Sequence, residues 1–297
     1  MKKLNKLASA YRIDRGNSFR LKQVDPDDTY GIASREHAAP ALEQGVRHLT
    51  DLQDKLYAQE RWAVLLIFQG MDAAGKDSVI KHVMSGVNPQ GCSVYSFKVP
   101  SGEELNHDYL WRHIRKLPER RRVGIFNRSY YEEVLAVRVH SELLRTERIP
   151  SSLLGPKIWK RRFEEICCFE RYLAHNGIVT RKFFLHISKE EQAKRLLERL
   201  EEPEKNWKFS ISDVHERQHW DDYMDAYEDA IRNTCAPFAP WYVVPADHKW
   251  FARLVVASTV IAALEELNLG YPKIDTQRRK ELEAARSLLL NEQGTLK

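Results

Sequence analysis

A phosphate-binding loop between a buried strand and a helix is the feature that most constrains this chain. An apolar run at residues 64–68 leads into Gly70, Gly75 and Lys76, which have the spacing G-x-x-x-x-G-K. In such a loop, successive backbone N–H groups point toward one anion, at the positive end of the following helix dipole. Glycine permits positive φ and a close approach of the anion to the backbone. The residues predicted to contact phosphate here are Gly70, Ala73, Ala74, Gly75, Lys76 and Asp77.

Two acidic residues depart from the usual form of this loop. After the lysine the pattern expects Ser or Thr as a Mg²⁺ ligand, whereas this chain has Asp77, and Asp72 lies within the loop itself. Aspartate is common in turns and is favoured in the first turn of a helix, so both positions have ordinary explanations. An acid inside an anion-binding loop is nevertheless unfavourable unless a metal ion or a proton transfer uses it. We expect Asp72 to bind Mg²⁺ or to orient and deprotonate an attacking phosphate oxygen, and Asp77 stays open as a metal ligand.

Strands and helices alternate along the rest of the chain. This alternation favours a doubly wound α/β fold whose mainly parallel sheet is covered by helices on both faces. Ligands of such folds bind at the carboxyl ends of the strands. The predicted strands are 62–68, 92–99, about 123–126, 178–187 and 241–245. The predicted helices are 35–60, 75–86, about 101–118, about 157–176, 189–200, 212–234 and 250–267.

Length and composition set further limits. The 297 residues are 43% hydrophobic and 30% charged, which suits a globular protein with a sizeable core. The net charge of +5 could serve any polyanion and does not single out DNA or RNA. No apolar run in the sequence approaches the ~18 residues of a membrane span, and the four cysteines form no C-x-x-C pair. We expect a cytoplasmic protein with an N-terminal arm at 1–33, one P-loop domain at 34–270 and a charged helical tail at 271–297.

Polar residues follow the strand near residue 125. In P-loop enzymes an acid commonly follows such a strand and helps to hold Mg²⁺. Here the position is Asn127, with Glu132 and Glu133 a little further along. Arg128 either pairs with one of these glutamates or clamps a transferring phosphoryl group.

A cation-rich segment around 189–210 has two interpretations. Its cations alternate with glutamates, which is typical of a solvated helix with ion pairs. Because a phosphate loop precedes it, we favour a lid that closes over phosphates. The cations are Lys194, Arg195, Arg199, Lys205 and Lys208.

The pattern H-E-x-x-H at 215–219 matches the zinc-peptidase motif. The sequence supplies no identifiable third ligand, and the flanks are charged. We interpret this match as a coincidence.

Four stretches together resemble a known family. They are 70–77, 97–101, 106–112 and 124–132, and in them the chain resembles the type 2 polyphosphate kinases, or polyphosphate:nucleotide phosphotransferases. The resemblance extends over about residues 12–270. It implies a thymidylate-kinase-like P-loop fold with a helical lid. It also implies reversible, Mg²⁺-dependent phosphoryl transfer between inorganic polyphosphate and nucleotides, with Mn²⁺ as another metal to consider.

The resemblance implies roles for particular residues. Asp72 corresponds to the loop acid, Lys76 to the loop lysine and Arg128 to the phosphate-clamping arginine, while either Arg195 or Arg199 corresponds to a lid arginine. The predicted catalytic residues are thus Asp72, Lys76, Arg128, Arg195 and Arg199. The predicted metal ligands are Asp72, Asp77, Asn127 and Glu132. The cations predicted to hold polyphosphate are Lys81, Arg121, Arg122 and Lys208.

The combination of Asn127 and Glu132 resembles the subgroup that accepts both AMP and ADP. The expected partners are therefore inorganic polyphosphate and AMP, ADP or ATP, with guanine nucleotides left open. We expect a homo-oligomer (dimer or tetramer), and we expect no nucleic acid or membrane partner. Two alternatives remain: an ATP-dependent nucleoside monophosphate or small-molecule kinase on the same fold, and a non-catalytic polyphosphate- or nucleotide-binding regulator.

Overall fold

The computed structural model describes the backbone of residues 2–295 and the side chains of residues 6–292. Within this range the strands are β1 (Arg12–Ile13), β2 (Ala63–Gln69), β3 (Cys92–Ser96), β4 (Val123–Asn127), β5 (Ile178–His186) and β6 (Trp241–Pro245). They form one sheet in the order β1-β6-β5-β2-β4-β3. All neighbouring strands are parallel except β1, which runs antiparallel to β6. The predicted α/β fold class is confirmed.

Helices and short 3-10 turns connect the strands. The α-helices of the described range are α1 (Lys2–Ala10), α2 (Arg35–Gln59), α3 (Lys76–Val83), α4 (Trp111–Ile114), α5 (Ala136–Val139), α6 (Ile158–His175), α7 (Lys189–Glu201), α8 (Ile211–Glu216), α9 (Trp220–Thr234), α10 (Lys249–Glu265) and α11 (Thr276–Thr295). None of them is long and apolar enough to cross a membrane, as far as the described residues go.

The core lies on both faces of the sheet. Every residue of β2 is buried, which explains why this strand is an apolar run rather than an alternating one. Helix α10 is apolar nearly all round and packs against α1, α2 and α3 as well as the sheet, while α6 packs against β5 and α9. This arrangement holds β2 rigidly, and β2 carries the phosphate loop at its carboxyl end.

Two helix predictions are wrong. The predicted helix at 101–118 is a 3-10 turn at residues 104–106 followed by the single turn α4. Its break has a local cause, because the carboxylate of Asp108 accepts a hydrogen bond from the backbone N–H of Leu110 at 2.9 Å. The predicted helix at 212–234 is interrupted by a 3-10 turn at residues 217–219, between α8 and α9. Strand β3 also ends at Ser96 rather than at residue 99.

The two ends of the chain differ in how they meet this core. Near the N-terminus, Leu7, Tyr11 and Phe19 are buried, and β1 extends the sheet beside β6. In contrast, every side chain described between residues 271 and 292 is exposed. The division into arm, domain and tail stays a prediction.

A buried ammonium group ties the sheet to the segment after β4. Lys182, on β5, is fully buried. Its Nζ donates to the Glu170 carboxylate at 2.6 Å, to the Tyr131 hydroxyl at 2.9 Å and to the Thr234 carbonyl oxygen at 2.8 Å. Burial lowers the pKa of Lys182, and the carboxylate of Glu170 opposes that shift. Tyr131 lies three residues after Arg128, so this network anchors the segment that carries Arg128.

Replacing this lysine should therefore be costly. Lys182→Met would leave the carboxylate of Glu170 buried without its cation, and we expect the free energy of unfolding to fall by about 3–5 kcal/mol. Urea denaturation of the two proteins would measure this. Arg278→Met, which removes the exposed pair with Glu281, is the control and should leave the unfolding midpoint unchanged. Equal midpoints for Lys182→Met and the control would contradict the prediction.

Candidate active site

The phosphate loop joins β2 to α3 through a strained backbone path. Gly70, Ala73 and Gly75 all have positive φ, at +154°, +62° and +102°. A Cβ atom on Gly70 would lie 3.0 Å from the carbonyl oxygen of Leu185. Glycine at position 70 is therefore required both by φ and by the packing of the loop against β5.

Helix α7 holds the loop from behind. Gln192 donates its Nε2 to the carbonyl oxygen of Asp72 at 2.9 Å. One turn later, Arg195 donates Nη1 to the carbonyl oxygens of Ala73 and Ala74 at 3.2 and 3.1 Å. Because C=O and N–H point in opposite directions across a trans peptide, the N–H groups of Ala73 and Gly75 face away from α7. The loop thus presents donors on one side because its acceptors are satisfied on the other.

These contacts correct the prediction for Arg195. The side chain is only 4% exposed, and its remaining donors reach the carbonyl oxygens of Ala246 and Asp247 and the carboxylate of Glu191, at 2.7–2.8 Å. A guanidinium committed to protein acceptors on every side cannot also close over a phosphoryl group. Arg195 braces the loop and is not a lid arginine.

The loop acid and the predicted clamp are in direct contact. Nη2 of Arg128 lies 2.5 Å from Oδ1 of Asp72, and its Nη1 lies 3.4 Å from Glu132. Gln69, the last residue of β2, donates to the other oxygen of Glu132 at 3.0 Å. Arg128 has a φ of +63°, and its N–H bonds the carbonyl oxygen of Phe68 at 2.9 Å. The chain therefore turns sharply where β4 ends, and this turn aims the guanidinium at the loop.

The side chain of Lys76 folds back over the first residues of the loop. Its Nζ donates to the carbonyl oxygens of Gly70 and Met71 at 2.5 and 3.2 Å. Burial, with the nearby charge of Arg128, lowers the pKa of Lys76 to about 8. Asp72, Glu132 and Asp77 act in the opposite direction.

Asp77 belongs to a second polar group. It lies in the first turn of α3, and its Oδ1 accepts a hydrogen bond of 2.5 Å from Nδ2 of Asn127. The same Nδ2 lies 3.4 Å from the hydroxyl of Ser96, the last residue of β3. The carboxyl ends of β2, β3 and β4 therefore meet at the loop, as parallel strands of a doubly wound sheet do.

The four predicted metal ligands are divided between these two groups. Asp72 and Glu132 flank Arg128, while Asp77 and Asn127 bond each other. Among the described residues, no three His, Cys, Asp or Glu side chains form a cluster that could hold a metal ion. The donors nevertheless fit Mg²⁺, because this ion prefers oxygen ligands and commonly takes one or two carboxylates, with water and substrate phosphates completing its shell.

Several predicted phosphate contacts lie elsewhere. Arg121 and Arg122 precede β4 at the amino edge of the sheet, opposite to the loop, where they pair with Glu60 and Glu119. These two arginines therefore lie away from the loop, and their contact with polyphosphate stays a prediction. Lys81 is exposed in the last turn of α3, more than one turn from the loop.

The lid cations lie nearer to the site. Arg199 pairs with Asp213 at 3.0 Å. Burial raises the pKa of Asp213, and the negative charge of Asp72 raises it further. Asp213, the partner of Arg199, therefore lies within electrostatic range of the loop. Lys208 is exposed, with its ammonium 5.0 Å from the ring centre of Trp207.

The H-E-x-x-H residues are used in another way. The carboxylate of Glu216 accepts hydrogen bonds from His140 at 2.9 Å and from the hydroxyl of Tyr223 at 2.8 Å. His215 is exposed on α8, whereas His219 lies in the following 3-10 turn. The helical spacing that the zinc motif needs is therefore interrupted.

A cavity of about 900 Å³ opens beside the loop. Arg128 and Glu132 line one part of it, and Glu147 and Arg162 line another. Burial and the neighbouring Glu133 raise the pKa of Glu147 to about 8. Apolar side chains complete the wall, among them Phe97, Leu105, Tyr109, Val137 and Leu143. The volume suits a small-molecule ligand with both apolar and polar parts.

Sequence reasoning missed the supporting residues Gln69, Ser96 and Gln192. The first two are strand-end residues next to predicted ones and carry no motif of their own. For Gln192 the sequence shows only its helical spacing from Arg195 and Leu196, which places the three on one face of α7, and the structure shows that this face is buried. A buried stripe that contains polar residues indicates that they meet buried acceptors.

Comparisons with known proteins agree with this geometry. The family model described as Polyphosphate kinase 2 (PPK2) matches residues 33–270. This chain belongs to the polyphosphate kinase 2 family. It is 55% identical to an ADP-polyphosphate phosphotransferase of Rhodopseudomonas palustris, over 94% of this chain and 97% of that protein. It is 45% identical to an AMP/ADP-polyphosphate phosphotransferase of Meiothermus ruber, over 91% of this chain and 97% of that protein.

A solved structure also matches. The polyphosphate kinase 2 of Arthrobacter aurescens superposes with a TM-score of 0.87 at 39% identity, and the match covers 96% of each chain. The family expected from the four sequence stretches is confirmed.

The lowered pKa of Lys76 makes a prediction about pH. The ammonium is protonated below its pKa of about 8, so the catalytic efficiency kcat/KM should fall as the pH rises through that value. Lys76→Arg keeps the positive charge, and its lower rate should show no such fall. A pH profile of phosphoryl transfer would measure both proteins. A wild-type profile that stays flat well above pH 8 would contradict the prediction.

Proposed function

We propose that this chain transfers phosphoryl groups reversibly between inorganic polyphosphate and nucleotides, forming ATP from ADP and ADP from AMP. Membership of the polyphosphate kinase 2 family supports the reaction. The names of the Rhodopseudomonas and Meiothermus relatives support ADP and AMP as acceptors. The observation that carries the proposal is the contact of Asp72 with Arg128 at 2.5 Å, because it places an acid and a clamping cation at one phosphate loop.

The residues suit this chemistry. The loop N–H groups and Lys76 would hold the phosphates, and Arg128 would neutralise charge on the group in transfer. An oxygen of the acceptor's terminal phosphate attacks the end phosphorus of polyphosphate. A new P–O bond forms, the bond to the next phosphate breaks, and the shortened polyphosphate leaves with the electron pair. Asp72 would orient the attacking oxygen and accept its proton if the oxygen carries one.

Asp72 and Asp77 would hold Mg²⁺, or Mn²⁺ in its stead, and Asn127 and Glu132 are the further candidate ligands. When bound, the ion would neutralise phosphate charge. The split of these residues into two groups suits a metal that receives most of its remaining ligands from the two phosphate chains.

Arg199 and Lys208 remain our candidates for contact with polyphosphate, since Arg199 lies in the last turn of α7 and Lys208 lies beyond the helix, on the segment that backs the loop. A linear polyanion would be held mainly by charge. We further propose a cytoplasmic homo-oligomer, dimer or tetramer, which analytical ultracentrifugation and cell fractionation would test.

A donor–acceptor matrix tests the reaction itself. Purified protein with Mg²⁺ is given polyphosphate or ATP as donor and AMP, ADP, GMP or GDP as acceptor, and products are separated by chromatography. We expect polyphosphate to yield ADP from AMP and ATP from ADP. Transfer from ATP to nucleoside monophosphates with no effect of polyphosphate would instead favour the ATP-dependent kinase.

Variants of the loop test the residue roles. Asp72→Ala and Lys76→Ala should each lower kcat by about 10²–10³-fold, because each removes charge placed at the transferring group. Asp51→Ala, which removes an exposed ion pair with Lys55 on α2, is the matched control and should retain the wild-type rate. Near-normal turnover of both loop variants would contradict the roles.

A further inference from the structure

Gln192 bridges the phosphate loop and the segment after α8. Its side chain is 1% exposed. Its Nε2 donates to the carbonyl oxygen of Asp72 at 2.9 Å, and its Oε1 accepts from Nη1 of Arg217 at 2.6 Å. Arg217 therefore lies two hydrogen bonds away from the loop acid.

The chemistry of the three groups makes this bridge specific. A guanidinium only donates hydrogen bonds, and a backbone carbonyl only accepts them. A side chain between them must accept at one end and donate at the other, which an amide does and a carboxylate or ammonium does not. Arg217 also fixes which way the amide faces, since only Oε1 can accept from it.

Arg217 is itself anchored to the body of the protein. Its Nη1 donates to the carbonyl oxygen of Lys189, the first residue of α7, at 2.9 Å. The preceding residue, Glu216, accepts from His140 beside α5 and from Tyr223 on α9. A continuous set of contacts thus leads from these elements through Arg217 and Gln192 to Asp72.

We propose that Gln192 and Arg217 are positioning residues that set the carboxylate of Asp72 against Arg128. Both side chains bond protein groups, and we assign neither of them to contact with substrate. Gln192 fixes the peptide after Asp72 directly, and Arg217 acts through Gln192. The inference rests on the proposed function, because Asp72 matters only if phosphoryl transfer takes place at this loop.

The consequence is a defect in rate rather than in binding. Arg195 still holds the carbonyl oxygens of Ala73 and Ala74, and with them the N–H of Gly75, so a variant at position 192 keeps most of the phosphate cradle. Only the peptide between Asp72 and Ala73, which sets the orientation of Asp72, is released. Small displacements of a reacting group lower the rate of the chemical step much more than they lower affinity.

Three variants test this inference: Gln192→Leu, Arg217→Met and Arg217→Lys. Initial rates of ATP formation from ADP and polyphosphate give kcat and both KM values. We expect Gln192→Leu to lower kcat by about tenfold or more with both KM values within about twofold of wild type. Arg217→Met should lower kcat in the same way, and Arg217→Lys, which still donates to Gln192, should recover most of the loss.

The double variant Gln192→Leu/Arg217→Met tests whether Arg217 acts through Gln192, which we call a relay, or whether the two residues act independently. If Arg217 acts through Gln192, the double variant has the kcat of Gln192→Leu alone. If the two losses multiply, the residues act independently and the relay is overturned.

Gln53→Leu is the matched control for burial. Gln53 is a buried glutamine on α2 whose Oε1 accepts from the backbone N–H of Asn88 at 3.2 Å, remote from the loop. It should lose stability as Gln192→Leu does but keep the wild-type kcat. A normal kcat in Gln192→Leu, or a loss confined to KM, overturns the inference.

Should Gln192→Leu fail to fold, the comparison of Arg217→Met with Arg217→Lys decides, and equal kcat values overturn the proposal. Wild-type protein without any transfer from polyphosphate would instead refute the proposed function, so the two failures are distinguishable.

Discussion

Satisfaction of the loop's backbone carbonyls is the interaction on which the site depends. A phosphate loop can turn its N–H groups toward an anion only if its C=O groups have partners elsewhere, since unpaired buried carbonyls are costly. Here α7 supplies those partners through Gln192 and Arg195. Helix α7, which the sequence predicts to be part of a lid, is in its first turns the backing of the loop. Only the part of this segment that begins near Arg199 remains a candidate to move.

Charge explains the other unusual feature of the site. An acid within an anion-binding loop would repel phosphate if it stood alone. The carboxylate of Asp72 is instead paired with the guanidinium of Arg128, which also pairs with Glu132. The site is therefore nearly balanced in charge before any ligand enters. Asp77 differs, because its carboxylate accepts a hydrogen bond from the neutral amide of Asn127, which leaves the negative charge available to a metal ion.

Much of this could be predicted from the sequence, and the exceptions have physical causes. The strand–loop–helix unit and the order of most elements followed from local patterns, and the placement of Asn127 and Arg128 at the loop followed from the rule that parallel strands end together. The position of Arg121 and Arg122 at the opposite edge of the sheet also follows from the sequence, because β4 begins only after them. Charge alone does not distinguish the role of Arg195 from that of Arg199. Which of the two side chains is buried depends on the face of α7 that meets the loop. The break before α4 depends on a single side-chain contact of Asp108, which no periodicity reveals.

The short first strand has a consequence for how the protein is made. Arg12 pairs with Tyr242 across β1 and β6, so residues from opposite ends of the sequence meet at one edge of the sheet. This edge cannot close until β6 has left the ribosome, with most of the chain already synthesised. Until then the nascent N-terminus has no native strand to join, and Tyr11 and Phe19 lack their final surroundings. Closure of the complete sheet is therefore a late event, and long-range closure of this kind is intrinsically slow.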